Sequence, residues 1–305
     1  MIINKSRVTI FLTFALNLIQ LLGIIYTYNL IEYLLTEKKN IQRNPPLTIR
    51  NEVEQGESIR SIMARTGTDK LTRHAYDRYY DFYFHNFRDK KDLTILEIGA
   101  HTGLSLLLWS EYFSKSAIIH GISYAIDEKA SKELVCKSNP DMCENIEIFN
   151  GDQGDPQFLE SLCQKYKYDI IVDDGSHLPA HQILSLQYLF SALKPGGLYV
   201  IEDLETSYWD VPDTNLYGYD INAGIGSSPK ISAVEKLKQY IDVMMRYDMA
   251  YPSLSVSKID HDFFSITFGE GLAIIRKSSE DRHPNIPVAP VIHSNLEQWI
   301  LKAKS

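Results

Sequence analysis

A doubly wound, mostly parallel α/β sheet of seven strands, preceded by a membrane helix, is the fold class that this 305-residue sequence predicts. Three features predict it. Beyond Lys91, five short β-branched runs alternate with four helical ones, the order of strands that pair in parallel beneath helices on both faces. Near the other end FFSITF and LAIIRK flank GEG, the pattern of two strands joined by a glycine-containing hairpin, so an antiparallel pair closes the sheet. Upstream, no residue from Val8 to Ile31 is charged, and at about 1.5 Å per residue such a helix spans roughly 36 Å, enough for one tilted membrane crossing.

The elements follow in chain order. Residues 1–35 read as a retained anchor, because a signal peptide has a shorter apolar core and ends in a small-residue cleavage site, which is absent before Glu32. Lys5 and Arg7 precede the apolar run and Lys38, Lys39 and Arg43 follow it, so charge leaves its orientation open. Residues 36–67, with Pro45 and Pro46, read as linker and stem. A globular domain then covers 68–278, and a tail over 279–305 holds Pro284, Pro287 and Pro290 before a short amphipathic helix. Within the domain, Leu71 to Phe87 is an aromatic-rich helix candidate whose His74, Tyr76, Tyr79, Tyr80, Tyr83 and Phe84 suit one packed and one partly exposed face. The strands are LTILEIGA, AIIHGIS, NIEIFNGD, YDIIVDDG and GGLYVIEDL; the helices between them are LSLLLWSEYF, ASKELVCKS, QFLESLCQKY and HQILSLQYLFSAL.

Composition excludes several function classes. A net charge of -8 disfavours a broad footprint on nucleic acid, which needs clustered Lys and Arg. Three cysteines, Cys136, Cys143 and Cys163, make neither a disulfide framework nor a CxxC metal pattern, although Cys136 and Cys143 are close enough in sequence to pair.

In an open α/β sheet ligands bind beyond the carboxyl ends of the strands, and the candidate motifs fall there. In EIGAHTG, Glu97 and Gly99 finish the first strand and Gly103 opens the next helix; the GxxxG spacing is not the GxGxxG of dinucleotide sites. Asp174 ends the fourth strand, and Glu202 and Asp203 end the fifth. Three carboxylates on adjacent strand ends repel one another unless a hard cation joins them, and Mg²⁺ suits such a partly open oxygen site. His177, three residues past Asp174, is placed to act as general base on a hydroxyl held there. His181, a helical turn later, reads as a helix-face residue. Tyr208 and Trp209 either wall an acceptor pocket or pack over the sheet edge. Because vicinal hydroxyls chelate a metal, a diol acceptor is favoured.

These motifs carry a resemblance. EIGAHTG followed by GDQGDP, VDDGSH, LKPGGLYVIEDL and the terminal hairpin resembles a class I S-adenosylmethionine-dependent methyltransferase from about Thr68 to Lys277. Within that superfamily TDK (Thr68–Lys70), DDGSH (Asp173–His177) and IEDLETSYW (Ile201–Trp209) resemble the macrolide sugar O-methyltransferases of the mycinamicin and macrocin type. The related rhamnosyl O-methyltransferase and cephalosporin hydroxylase-like group is also similar. The resemblance implies S-adenosylmethionine and Mg²⁺ as cofactors and a Rossmann-like fold. It implies that Glu97, Gly99 and Gly103 border the methionine and ribose, that Asp152 and Gln153 lie by the adenine, and that Asp173 belongs with them. Relatives commonly carry an acid at the end of the second strand for the ribose hydroxyls; GISYAIDEK puts Ser123 there, with Asp127 or Glu128 a turn later to compensate.

The expected function is therefore Mg²⁺-dependent O-methylation of a deoxysugar or rhamnose-like unit. A catechol-type methyltransferase is the alternative within enzymes, and an anchored, non-catalytic binding module the alternative outside them. The anchor suggests a lipid-linked sugar or a membrane-held glycan as acceptor. Cofactor supply, and an NxS/T triplet found only at Asn4, suggest a cytosolic catalytic domain. The macrolide enzymes use an N-terminal auxiliary region to build their oligomer; here that length is mostly anchor and linker, so a homo-oligomer stays open.

Overall fold

Strands β1 (Thr94–Ile98), β2 (Ile118–Ser123), β3 (Ile146–Asn150), β4 (Tyr168–Asp173), β5 (Leu193–Ile201), β6 (Phe263–Phe268) and β7 (Ala273–Lys277) form one seven-stranded sheet in a computed structural model of the chain. The model describes residues 56–124, 128–208, 215–216, 219–220, 232–245, 257 and 259–279. Strand order is β3-β2-β1-β4-β5-β7-β6. The first five strands pair in parallel, and β7 runs antiparallel between β5 and β6. Order reverses between β1 and β4, so the carboxyl ends of β1, β4 and β5 lie side by side.

Successive strand residues face opposite sides of a sheet, and that alternation sorts the core into two layers. Ile95, Ile119, Ile170, Val172, Leu198, Val200 and Ile274 pack under helices α1 (Ile59–Thr66), α3 (Asp77–Phe84) and α4 (Leu104–Tyr112). Their neighbours Leu96, Ile98, Ile122, Ile171, Tyr199, Ile201, Ala273 and Ile275 pack against α6 (Pro156–Lys165), α7 (Pro179–Leu189) and α8 (Ala233–Met245). Burial on both faces explains why β4 reads as an unbroken apolar run apart from its aspartates. Helix starts carry their own signals. Asp155 caps α6 by accepting from the Gln157 N–H at 2.9 Å, and Pro156 and Pro179 occupy first helical positions, where a missing N–H costs nothing. Helix α5 (Glu128–Ser138) follows β2, and its Cys136 is disulfide-bonded to Cys143.

Three features differ from the sequence reading. Residues 59–66 are not linker: Ser58 caps α1, whose Ile59, Ile62 and Met63 are buried in the core, and the compact unit begins at Gly56. The aromatic stretch is not one helix. It divides into α2 (Asp69–Thr72), α3 and a 3-10 turn at His85–Phe87, with left-handed Ala75 (φ 53°) at the break. Helix α8 was not anticipated, although Ala233, Leu237 and Tyr240 follow helical spacing and are buried. Two glycines of EIGAHTG lie against protein backbone: a Cβ on Gly99 would stand 1.9 Å from the Asp174 carbonyl oxygen, and one on Gly103 2.7 Å from that of Ser131.

The expected membrane helix over 8–31 and the final helix of the tail lie outside the described residues. Among the described residues no helix is long and apolar enough to cross a membrane.

Candidate functional site at the sheet edge

The carboxyl edge of the sheet collects the acidic residues because pairing aligns the strand ends. Ile98 sits opposite Asp173, and Asp173 opposite Ile201, so the residues that follow, Asp174 and Glu202, leave their strands together. The Asp174 N–H donates to the Ile98 carbonyl (3.0 Å) and the Glu202 N–H to the Asp173 carbonyl (2.9 Å), which holds both turns against β1 and β4. Backbone strain gathers here as well. His101, His177 and Asp203, in the loops after β1, β4 and β5, have φ of 33°, 56° and 53°, a region that side chains with a Cβ seldom enter.

Two groups of side chains result. The first joins Asp174, His177 and Asp203, whose ligand atoms lie within 4.8 Å of one another. His177 Nδ1 is buried without a hydrogen-bond partner and stands 3.6 Å from Asp203 Oδ2. An unsatisfied imidazole nitrogen facing two carboxylates is what a cation or a transferable proton would complete, so the residues fit a hard divalent ion. On its other side Asp203 accepts from the Tyr76 hydroxyl at 2.8 Å, returns its own N–H to that oxygen at 3.2 Å, and lies 3.4 Å from His74 Nδ1. His74 stacks on the Tyr76 ring, and Glu205 joins His74 and Asp203 in a second group of potential ligands.

Behind the first group lies Lys70, from α2. Its side chain is 1% exposed, and its ammonium lies 2.5 Å from Asp174, 2.8 and 2.9 Å from the two oxygens of Glu202, and 3.1 Å from Glu97. Burial works against this charge, but Asp174, Glu202 and Glu97 outweigh it and hold the Lys70 pKa well above the ordinary range. Glu202 also accepts from the Tyr80 hydroxyl, and Glu97 from the Trp109 indole at 2.6 Å. Burial raises the pKa of Glu97 against the pull of Lys70. For Glu202, burial and the Asp174 charge do the same. Of the three expected metal ligands, then, Asp174 and Asp203 meet at His177, whereas Glu202 is turned onto Lys70 and Tyr80.

The expected cofactor residues divide in the same way. Gln153 is buried, with its amide donating to Asp173 (2.6 Å) and Ser185 (2.8 Å) and accepting from the Ser176 N–H (2.8 Å). Gln153 and Asp173 thus belong to one internal network, and burial pushes the Asp173 pKa up to about 7. Asp152 caps the adjacent turn by accepting from the Gly154 N–H at 2.6 Å and remains partly exposed. Ser123 ends β2 with its hydroxyl buried and unpartnered, a fit for a ligand hydroxyl at that strand end. His181 lies 3.0 Å from the Ser176 hydroxyl, a supporting contact. Tyr208 is exposed; Asp127, Trp209 and the Glu128 side chain lie outside the described residues.

Comparison with known proteins bears on this edge. No family model matches the chain. A rhamnosyl tetracenomycin-C 2'-O-methyltransferase of Streptomyces olivaceus is 31% identical over 239 residues, 75% of this chain and 57% of that protein. The mycinamicin VI 2''-O-methyltransferase of Micromonospora griseorubida is 30% identical over 217 residues, 68% of this chain and 49% of that protein. The chain is a homologue of these sugar O-methyltransferases. It spans about half the length of the curated relatives it matches. Among solved structures the MycE methyltransferase of the mycinamycin pathway, in complex with Mg and SAH, has a TM-score of 0.60 and 27% identity, covering 76% of this chain and 58% of its own. The sugar O-methyltransferase homologue thus shares the seven-stranded Rossmann-like sheet of that enzyme. Reading its sequence missed Lys70, Tyr76, Tyr80 and Glu205 as site residues. The signal was present in part: three convergent carboxylates demand a cation, and TDK is followed by tyrosines four apart.

Proposed function

We propose that the chain is an S-adenosylmethionine-dependent, Mg²⁺-dependent O-methyltransferase that acts on a hydroxyl of a sugar. The observation that carries this reading is the meeting of Asp174, His177 and Asp203 at one sheet edge, with the His177 Nδ1 buried and without a hydrogen-bond partner. Support comes from the names of its relatives, which methylate rhamnosyl or macrolide sugars, and from the MycE complex with Mg, SAH and Mycinamycin VI.

In this reading Asp174 and Asp203 would hold the cation, with Glu202 the third carboxylate of the set. When bound, the cation lowers the pKa of a nearby hydroxyl, and S-adenosylmethionine supplies the methyl group. His177 takes the proton from the acceptor hydroxyl, its imidazole oriented by the strained turn after β4 and by Asp203 at 3.6 Å. Tyr76 fixes Asp203 from the far side, so this carboxylate keeps its aim toward His177. Glu97, the glycine turn from Gly99 to Gly103, Ser123 and Asp152 border the cofactor, with Gln153 and Asp173 stiffening the floor beneath it.

Residues 8–31 are read as a membrane anchor, which favours a lipid-linked or membrane-held sugar as acceptor and a catalytic part on the cytosolic side. The support is the uncharged run itself. Calorimetric titration of S-adenosylmethionine into the full chain, with Mg²⁺ and then with chelator, tests the main reading when followed by a screen of deoxysugar acceptors. Binding with transfer to a sugar upholds it; a folded chain that binds no S-adenosylmethionine overturns it.

A further inference from the structure

We propose that Lys70 is an internal competitor for the divalent cation, a built-in positive charge that occupies the position between Asp174 and Glu202 and sets how tightly a metal is held. The inference rests on the divalent-cation reading above.

The geometry is that of a filled cation site. Carboxylates from the carboxyl ends of three different strands, Glu97 within β1, Asp174 after β4 and Glu202 after β5, converge on one ammonium at 2.5 to 3.1 Å. The ammonium has three protons and meets three acids, so its donor capacity is spent on groups that a metal would otherwise claim. Two of those acids, Asp174 and Glu202, belong to the proposed metal set. Glu202 is almost fully buried and is held by Lys70 on both of its oxygens, with Tyr80 donating as well. Only Asp203 of the set is clear of the lysine.

A cation that draws on Asp174 and Glu202 must therefore displace the ammonium or share its ligands at close range. The lysine can yield, because it sits on the four-residue helix α2 and a third acid, Glu97, which lies outside the proposed metal set, is within reach at 3.1 Å. Lys70 thus keeps the empty carboxylate cluster from repelling itself apart, at the cost of weaker metal binding than three free carboxylates would give. A purely structural lysine would behave otherwise: its removal would damage the cluster and weaken any metal site built on it.

The test is titration of the full chain with Mn²⁺, followed by the electron paramagnetic resonance signal of the free ion, in the wild type, Lys70→Met, Lys70→Gln, Lys70→Arg and Asp203→Asn. Removing a competing positive charge from beside the carboxylates is expected to tighten Mn²⁺ binding roughly tenfold or more in Lys70→Met. Lys70→Arg, which keeps the charge, is expected to bind no tighter than wild type. Should Lys70→Met fold only when Mn²⁺ is added, judged by circular dichroism, the metal has taken the lysine's place and the proposal stands. Should it not fold at all, Lys70→Gln carries the same expectation of tighter binding. Equal or weaker affinity in the folded uncharged variants overturns the proposal while leaving the metal reading intact. Wild-type binding that is indifferent to Asp203→Asn overturns the metal reading and this inference with it.

Discussion

The Lys70 ammonium lies 2.5 Å from the Asp174 carboxylate although 104 positions separate the two residues in the chain. This contact makes the segment that precedes β1 part of the site. Lys70, His74, Tyr76 and Tyr80 all reach the carboxylates at the ends of β4 and β5 from that segment. Substitutions there are expected to act on the site's charges as well as on packing.

Tyr80→Phe tests that view on the buried side. The substitution keeps the ring but removes a hydroxyl that donates to Glu202, leaving a buried carboxylate with one donor fewer. A loss of about 1–3 kcal/mol is expected, read as a lower midpoint in urea unfolding with an unchanged slope. Trp109→Phe, which removes the indole donor to Glu97, is expected to cost a similar amount.

Gly99→Ala tests the crossing of the loops after β1 and β4. The new Cβ would meet the Asp174 carbonyl oxygen at 1.9 Å, in a backbone conformation with φ of 94°. Strain and overlap together are expected to cost roughly 3 kcal/mol or more. Thermal unfolding of the variant at the wild-type midpoint would contradict this account of the glycine.

Asp173 gives the fold a defined pH dependence. Burial raises its pKa to about 7 in the folded chain, against about 3.9 for an unfolded aspartate. The folded state therefore binds the extra proton, and this contribution is complete below about pH 4 and lost as pH rises through 7. Asp173→Asn, which cannot ionise, is expected to lose less stability than wild type between pH 4 and 8. Parallel stability curves for the two proteins would remove Asp173 from this role.

The sheet was legible because β-branched runs and the glycine hairpin report a local pattern, and five strand assignments needed only their own residues. Asp174, His177 and Asp203 were legible for a related reason: parallel pairing forces adjacent strand ends together, so their meeting follows from topology. Other parts depend on contacts that no local pattern encodes. A lysine in the four-residue helix α2 reads as a solvated residue until the fold brings Glu97, Asp174 and Glu202 to it. Gln153 follows β3 where a ligand contact is expected, yet its amide is taken up by Asp173, Ser185 and Ser176, which become its neighbours only in three dimensions. The break at Ala75 is likewise tertiary, since Lys70, Tyr76 and Tyr80 reach the edge only if the aromatic stretch is not one continuous helix.

The most direct measurement is transfer of labelled methyl from S-adenosylmethionine to a rhamnose-containing acceptor by the full chain, with Mg²⁺, after chelation, and in His177→Ala. The account predicts that chelation abolishes transfer, and that His177→Ala lowers turnover by roughly 10²–10⁴-fold while leaving S-adenosylmethionine binding unchanged. Transfer that survives both chelation and the loss of His177 would contradict it.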